Sequence, residues 1–267
     1  MDRNRVFLCS IDGVRPEAID AVRTPTLERL RREGAYTPRA RSVMPSVTLP
    51  CHVSMLRGVD VPRHGITTND YQPLARPVPS VIDVAKAQGM RTGFFYNWEP
   101  LRDLSSPGSL DVALMFAPDK YPAGDSHVSE MAVNYIERID FDFLFVYLGG
   151  PGAAGHDHGW MSEGYVEAVS NADRCVASVL GTIERLGRAG DTVTLVLSDH
   201  GGHERTHGTD CDEDMLVPWL LHGPGVRAGY EISEEVRLFD TCPTVAHLLG
   251  LPLHSSWDGR VITSALG

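Results

Sequence analysis

Lysine is almost absent from this chain: Lys86 and Lys120 are the only two, and the rest of its 24 basic residues are arginine. The basic residues are outnumbered by 35 acidic ones, which leaves a formal charge of −11. That balance excludes a surface built for non-specific binding to nucleic-acid polymers or anionic membranes, so any phosphate site has to be assembled locally. Cysteine is sparse as well. Cys9, Cys51, Cys175, Cys211 and Cys242 are odd in number, widely spaced and contain no C-x-x-C pair, which excludes a disulfide framework and an all-thiolate zinc site. No apolar run approaches the ~20 residues of a membrane span. The first apolar run, after Met1-Asp2-Arg3-Asn4-Arg5, is broken at Asp12, too early for a signal-peptide core. The expectation is a cytoplasmic protein without membrane attachment. Internal repeats and low-complexity tracts are also missing.

Across 267 residues, 42% are hydrophobic and 22% charged, enough for a substantial core. Val6-Phe7-Leu8-Cys9-Ser10-Ile11 reads as a buried strand, and Thr24 to Arg32 as a helix closed by Gly34. The alternation continues with a helix over Ser80 to Gln88, a strand over Arg91 to Trp98, a helix over His127 to Ile139 and a strand over Phe141 to Leu148. A long helix over Tyr165 to Leu186 leads to a strand over Thr192 to Leu197. A further strand over Met215 to Leu221 and a last helix over Cys242 to Leu249 complete the pattern. Such alternation predicts an α/β three-layer sandwich: a mainly parallel central sheet, helices on both faces, and a site at the carboxyl ends of the strands. One domain over 1–267 is expected, with 99–124, rich in Pro, Gly, Ser and Asp, as a small lid or loop.

The residues that follow the strands carry the chemistry. The first strand ends in Asp12-Gly13. The strand near residue 145 runs into Gly149-Gly150-Pro151-Gly152-Ala153-Ala154-Gly155-His156, and the strand near 195 ends in Ser198-Asp199-His200-Gly201. Asp and His at converging exits are ligand types for zinc or a related transition metal. A lone Asp there serves equally well as a turn residue; adding His156 and His207 shifts the balance toward a metal. His52, His222, His247 and His254 lie in apolar or terminal segments and read as structural. The glycine-rich stretch from Gly149 lacks dinucleotide-fingerprint spacing, and its His-rich continuation does not read as a helix opening.

A second signal is Pro45-Ser46-Val47-Thr48-Leu49-Pro50-Cys51-His52. Pro50 fits the first turn of a helix that Gly58 ends, placing Thr48 at or near the N-cap. Capping alone would explain a threonine there. A phosphoryl group also fits a helix start, and a metal touching the hydroxyl would make it a nucleophile.

Taken together, Asp12-Gly13, Thr48 in Ser46-Val47-Thr48-Leu49-Pro50, His64-Gly65-Ile66 with Asn69, Gly155-His156, Ser198-Asp199-His200-Gly201 and His207-Gly208 resemble the alkaline phosphatase superfamily, in particular its type I phosphodiesterase/nucleotide pyrophosphatase branch. The resemblance implies two divalent ions, usually zinc, with manganese as an alternative. One would be held by Asp12, Thr48, Asp199 and His200, the other by His156 and His207 with a further carboxylate. It implies Thr48 as nucleophile, a phosphothreonine intermediate, and Asn69 with a backbone N–H at the helix start binding a non-bridging phosphate oxygen. The partner is a small phosphorylated substrate.

One departure bears on the second ion. Where the family has Asp four residues before the His of Gly-His, this chain has Gly152. The second metal is then weakened, absent, or rescued by Asp157 or His158. The readings left open are a phosphodiesterase or nucleotide pyrophosphatase, a phosphomonoesterase or phosphonate hydrolase with the same site, and a degenerate metal- or phosphate-binding relative. A sulfatase is disfavoured: that branch converts a Cys or Ser followed by Pro and Arg at fixed offsets, whereas Thr48 is followed by Pro50 and His52, and Cys51 by Val53 and Met55.

Overall fold

A computed structural model describes residues 4–117 and 123–267. Eight strands form one sheet in the order β4-β3-β5-β1-β6-β7-β2-β8. They are β1 (Arg5–Ile11), β2 (Ala35–Arg41), β3 (Thr92–Tyr96), β4 (Val112–Met115), β5 (Phe143–Leu148), β6 (Thr192–Leu197), β7 (Leu216–His222) and β8 (Tyr230–Glu231). From β4 to β6 every pairing is parallel. Strand β7 runs antiparallel to both β6 and β2. The reason is local: residues 198–215 stay at the carboxyl end of β6, so the chain re-enters the sheet from that end, with no crossover to carry it back to the other.

The described helices are α1 (Pro16–Ala21), α2 (Pro25–Glu33), α3 (Thr48–Arg57), α4 (Val61–His64), α5 (Val81–Ala87), α6 (Ala123–Ile136), α7 (Gly150–His158), α8 (Glu163–Arg185), α9 (Asp212–Met215) and α10 (Thr241–Leu248). Strand periodicity divides the core between two faces. Val6 and Leu8 of β1, with Phe143, Phe145 and Tyr147 of β5, pack with α3, α5 and α10. Phe7, Cys9 and Ile11, with Leu144, Val146 and Leu148, pack with α1, α2, α6 and α8. This is the α/β sandwich read from the alternation of elements.

Three local features differ from that reading. The 99–124 stretch, expected as a lid or loop, supplies a 3₁₀ turn (Glu99–Asp103) and the edge strand β4, paired in parallel with β3; positions 118–122 lie outside the described residues. The glycine-rich stretch after β5 does open a helix: α7 starts at Gly150, and its first turn is held by side chains from elsewhere in the sequence. Asp125 accepts from the Gly150 N–H at 3.1 Å, and Asn97 from the Gly149 N–H at 3.1 Å. Strand β2 carries Pro38 and two arginines, and its ladder is interrupted between Thr37 and Ala40, a composition that hides a strand from periodicity.

Candidate metal centre and nucleophile

The exits of β1, β5 and β6 and the start of α3 meet at one end of the sheet. Asp12 follows β1, and Gly13 turns the chain there with φ +64°, a left-handed conformation that glycine adopts without strain. The Gly13 carbonyl is fixed by Trp160 Nε1–H and by the Tyr165 hydroxyl, both at 2.8 Å. Its N–H donates to Asp199 Oδ1 at 3.1 Å, so the β1 turn positions the carboxylate that follows β6. Ser198 beside it accepts from the Val14 N–H at 2.7 Å, fastening the two exits together.

Asp12, Asp199 and His200 are all buried, and one ligand atom from each lies within 4.8 Å of the others. Asp199 Oδ2 is buried without a hydrogen-bond partner. Burial, then the charge of Asp12, pushes the Asp199 carboxyl well above the ordinary carboxylate range. Two adjacent buried carboxylates with one unpartnered oxygen form an arrangement that a divalent cation satisfies and that the protein's own groups leave unbalanced. The donor set therefore fits a metal ion.

The histidines are set up in the matching tautomer. His200 Nδ1–H donates to the Gly201 carbonyl at 2.7 Å, His207 Nδ1–H to the Ser46 carbonyl at 2.8 Å, and His156 Nδ1–H to the Arg205 carbonyl at 3.0 Å. Each contact leaves Nε2 with its lone pair, as metal ligation requires. Burial lowers the basicity of His200, and burial followed by neighbouring His200 brings His207 down to about 4, so both are neutral at physiological pH.

Thr48 is the first residue of α3, with Val47 as N-cap, and its side chain makes no capping bond. Capping therefore does not account for it. Its Oγ1 lies 3.1 Å from His200 Nε2, beside the carboxylates. Gly58 ends α3 in the left-handed conformation, as its place in the sequence suggests. Asn69 reaches back to the same helix start, its Oδ1 accepting from the Leu49 N–H at 3.0 Å, which leaves its NH₂ to donate. The expected free backbone N–H is not Leu49's, which Asn69 takes; Pro50 has none, and Cys51 N–H serves the Val47 carbonyl.

An open cleft of about 220 Å³ is lined by Asp12, Thr48, Asn69, Tyr147, His156 and His207, among others, with Asp199 and His200 buried beside it. The structure thus brings together Asp12, Thr48, Asn69, His156, Asp199, His200 and His207, but in unequal states. His156 is exposed and, among the described residues, neither it nor His207 joins a cluster of three ligand groups. Asp157 and His158, the neighbours considered as replacements, are exposed and outside any such cluster as well. At Gly152 a Cβ would fall 1.7 Å from Asp12 Oδ1, so the Asp12 carboxylate occupies the space a side chain at 152 would enter.

Sequence reasoning missed three supports. Tyr147 donates to Asp12 Oδ2 at 2.6 Å; period-2 counting along β5 puts it on the α3 face, the one available signal. Asp125 is fully buried, held by Asn97 Nδ2 at 2.7 Å, and burial carries its carboxyl up to about 7. His52, read as structural, is buried between Ser10 Oγ at 2.9 Å and the Thr48 carbonyl at 2.8 Å, with Nδ1 3.5 Å from Asp199 Oδ2, and so braces the centre from behind.

Residues 6–217 match the family described as Type I phosphodiesterase / nucleotide pyrophosphatase. The chain is 26% identical over 222 residues to ectonucleotide pyrophosphatase/phosphodiesterase family member 1 of Rattus norvegicus, covering 73% of this chain and 24% of that protein. It is 29% identical over 224 residues to steryl-sulfatase of the same species, covering 70% and 38%. The chain thus spans well under half the length of either relative. Among solved structures, murine ectonucleotide pyrophosphatase/phosphodiesterase 5, in an inactive form in complex with AMP, superposes with a TM-score of 0.83 at 16% identity, covering 99% of this chain and 100% of that one. That likeness shows the fold, which is the expected α/β sandwich with its mostly parallel sheet. With the family match spanning most of the sequence and the motif residues gathered at one end of the sheet, the chain belongs to the type I phosphodiesterase/nucleotide pyrophosphatase family of the alkaline phosphatase superfamily.

Proposed function

We propose that this protein is a metal-dependent hydrolase of small phosphate esters, with phosphodiester or nucleotide-type pyrophosphate bonds as its first substrate class and Thr48 as nucleophile. The observation that carries the reading is the buried Asp199 Oδ2, which has no hydrogen bond and lies 3.4 Å from His200 Nε2 beside Asp12, with the Thr48 hydroxyl 3.1 Å from the same imidazole. Asp12, Asp199, His200 and Thr48 would hold a divalent ion, zinc or manganese. When bound, such an ion supplies Lewis acidity that lowers the pKa of a hydroxyl and offsets the paired carboxylates.

The chain's own residues account for the rest. Thr48 loses its hydroxyl proton to solvent as Oγ1 attacks phosphorus: an Oγ–P bond forms, the P–O bond to the leaving group breaks and the departing oxygen takes a proton from solvent. Water then attacks the Thr48 phosphoryl ester, the Oγ–P bond breaks and a proton from that water restores the hydroxyl. Asn69, pinned through Oδ1, offers its NH₂ to a non-bridging oxygen, a fixed donor of the kind that stabilises developing charge. His156 and His207 also line the cleft, His207 stacked on His200, and their unprotonated Nε2 atoms would hold a second ion that would stabilise the departing oxygen.

Steryl-sulfatase is among the relatives, but threonine at position 48 with Pro50 and His52 after it supports phosphoryl over sulfuryl transfer. Phosphomonoester or phosphonate hydrolysis uses the same groups and differs only in leaving-group contacts. The reading from another class, a metal- or phosphate-binding relative without turnover, rests on Gly152. Assay of aryl phosphate diesters, monoesters and phosphonates with excess zinc or manganese separates them. Turnover that disappears in Thr48→Ala is expected, and no turnover above that variant for any of the three sinks the enzyme reading.

A further inference from the structure

Beyond the cleft, the loop from β6 to β7 gathers a second group of unlike donors: His203, Cys211 and Asp214, one ligand atom from each within 4.8 Å of the others. None of them belongs to the Asp12–Thr48–Asp199–His200 set. His203 Nδ1 lies 2.7 Å from Asp214 Oδ1 and 3.7 Å from Cys211 Sγ. Ligands at ordinary zinc distances in a tetrahedron stand roughly 3.3–3.7 Å apart. The sulfur and nitrogen are therefore already at ligand spacing, and the carboxylate withdraws by roughly 0.6 Å as the shared proton leaves.

The surroundings are those of a supported ligand set rather than an isolated ion pair. Asp214 is fully buried, and its other oxygen, Oδ2, accepts from the Thr209 N–H and the Thr209 hydroxyl, each at 2.8 Å. Those two bonds aim Oδ1 at His203, as outer partners orient a coordinating carboxylate. His203 and Cys211 are partly exposed, which gives an ion an entry path and leaves a coordination position toward solvent. Glu204 and Glu213 add negative charge beside His203. The soft thiolate, borderline imidazole and hard carboxylate together favour zinc over magnesium or calcium.

We propose that His203, Cys211 and Asp214 form a separate binding site for a thiophilic divalent cation of the zinc class. Binding displaces the thiol proton and the proton on His203 Nδ1, and the ion replaces the hydrogen bond that now closes the loop. The site is coupled to the cleft by short contacts: the Thr209 carbonyl accepts from Ser46 Oγ at 2.8 Å, and the Ser46 carbonyl accepts from His207. Occupancy therefore stiffens the segment that presents His207 and flanks Thr48.

Cobalt(II) titration of the full chain tests this, because cobalt bound by a thiolate gains a sulfur-to-metal charge-transfer band in the near ultraviolet that nitrogen and oxygen ligands do not give. Cys9, Cys51, Cys175 and Cys242 are buried, so Cys211 is the thiol an added ion reaches. The expected result is a band in the parent that is lost in Cys211→Ser and in His203→Ala, both with unchanged far-ultraviolet circular dichroism, and one fewer zinc equivalent in Cys211→Ser. No band in the parent, or a band that persists in Cys211→Ser, overturns the proposal.

Discussion

The two sides of the cleft have been treated differently by the sequence. On one side Asp12, Asp199 and His200 form a buried cluster of candidate ligands with Thr48 against it; toward the mouth His156 and His207, the latter stacked on His200, keep the matching tautomer but join no cluster of three among the described residues. What separates the sides is one residue. Position 152 is glycine where the resemblance implies an acid, and the Asp12 carboxylate, held by Tyr147, stands where a side chain at 152 would enter. The two positions are therefore not independent, because a side chain at 152 and the present placement of the Asp12 carboxylate exclude one another.

The largest expected effect breaks the complete side. Thr48→Ala should reduce turnover of the best aryl phosphate ester by at least about 10³-fold, the scale on which removal of a covalent nucleophile acts, with stability unchanged in a thermal melt. Asp199→Asn comes next. Loss of a direct ligand should cost more zinc affinity than the about 10–100-fold associated with outer partners, read by calorimetric titration. An unchanged affinity would remove Asp199 from the centre.

Gly152→Asp sharpens the comparison from the other side. The new Cβ collides with Asp12 Oδ1, so the metal-free variant should lose about 1–3 kcal/mol from overpacking, read by denaturant unfolding. Excess zinc should return that stability, with one more equivalent bound than in the parent by elemental analysis. If stability is lost and no zinc is gained, His156 and His207 are not a relict ligand pair. Tyr147→Phe removes the hydroxyl that holds Asp12 and should weaken zinc binding by about tenfold.

The smallest effect is in the pH dependence of the metal-free protein. Asp199 and Asp125 both have carboxyls raised by burial, Asp125 to about 7. In the window between the unfolded and folded values the native state holds their extra protons, so the contribution of these two carboxyls falls as pH rises from about 4 toward 7, whereas His64 and His207, both lowered to about 4 by burial, contribute stability that rises from about pH 4 to 6.5. Zinc that binds the Asp12–Asp199 pair should remove the Asp199 part of that slope and leave the part due to Asp125. The Asp125 part is the difference between the pH slopes of the metal-free parent and Asp125→Asn, and equal slopes contradict the assignment.

Much of this was legible in the chain because period-2 strands and polar strand exits are local signals. The alternation that made β1, β5 and β6 readable also placed Asp12 and Asp199 at the same sheet edge. What stayed hidden depends on partners far away in sequence. The α7 start is fixed by Asn97 and Asp125, 52 and 25 residues before the groups they hold, so Gly149 to Gly155 resembles a loop when read alone. Tyr147 looks like a core aromatic until Asp12 is beside it, and β2 carries too much proline and arginine to show a strand period. Thr48 was ambiguous between cap and nucleophile because both occupy a helix start; only the contact with His200 separates them.

The measurement closest to the central claim is rapid acid quench of the zinc-loaded protein during turnover of an aryl phosphate diester, followed by peptide mass spectrometry. The account predicts a phosphoryl ester of the substrate's retained group on the peptide containing Thr48, absent in Thr48→Ala. An adduct on another residue, or sustained turnover by Thr48→Ala, contradicts it.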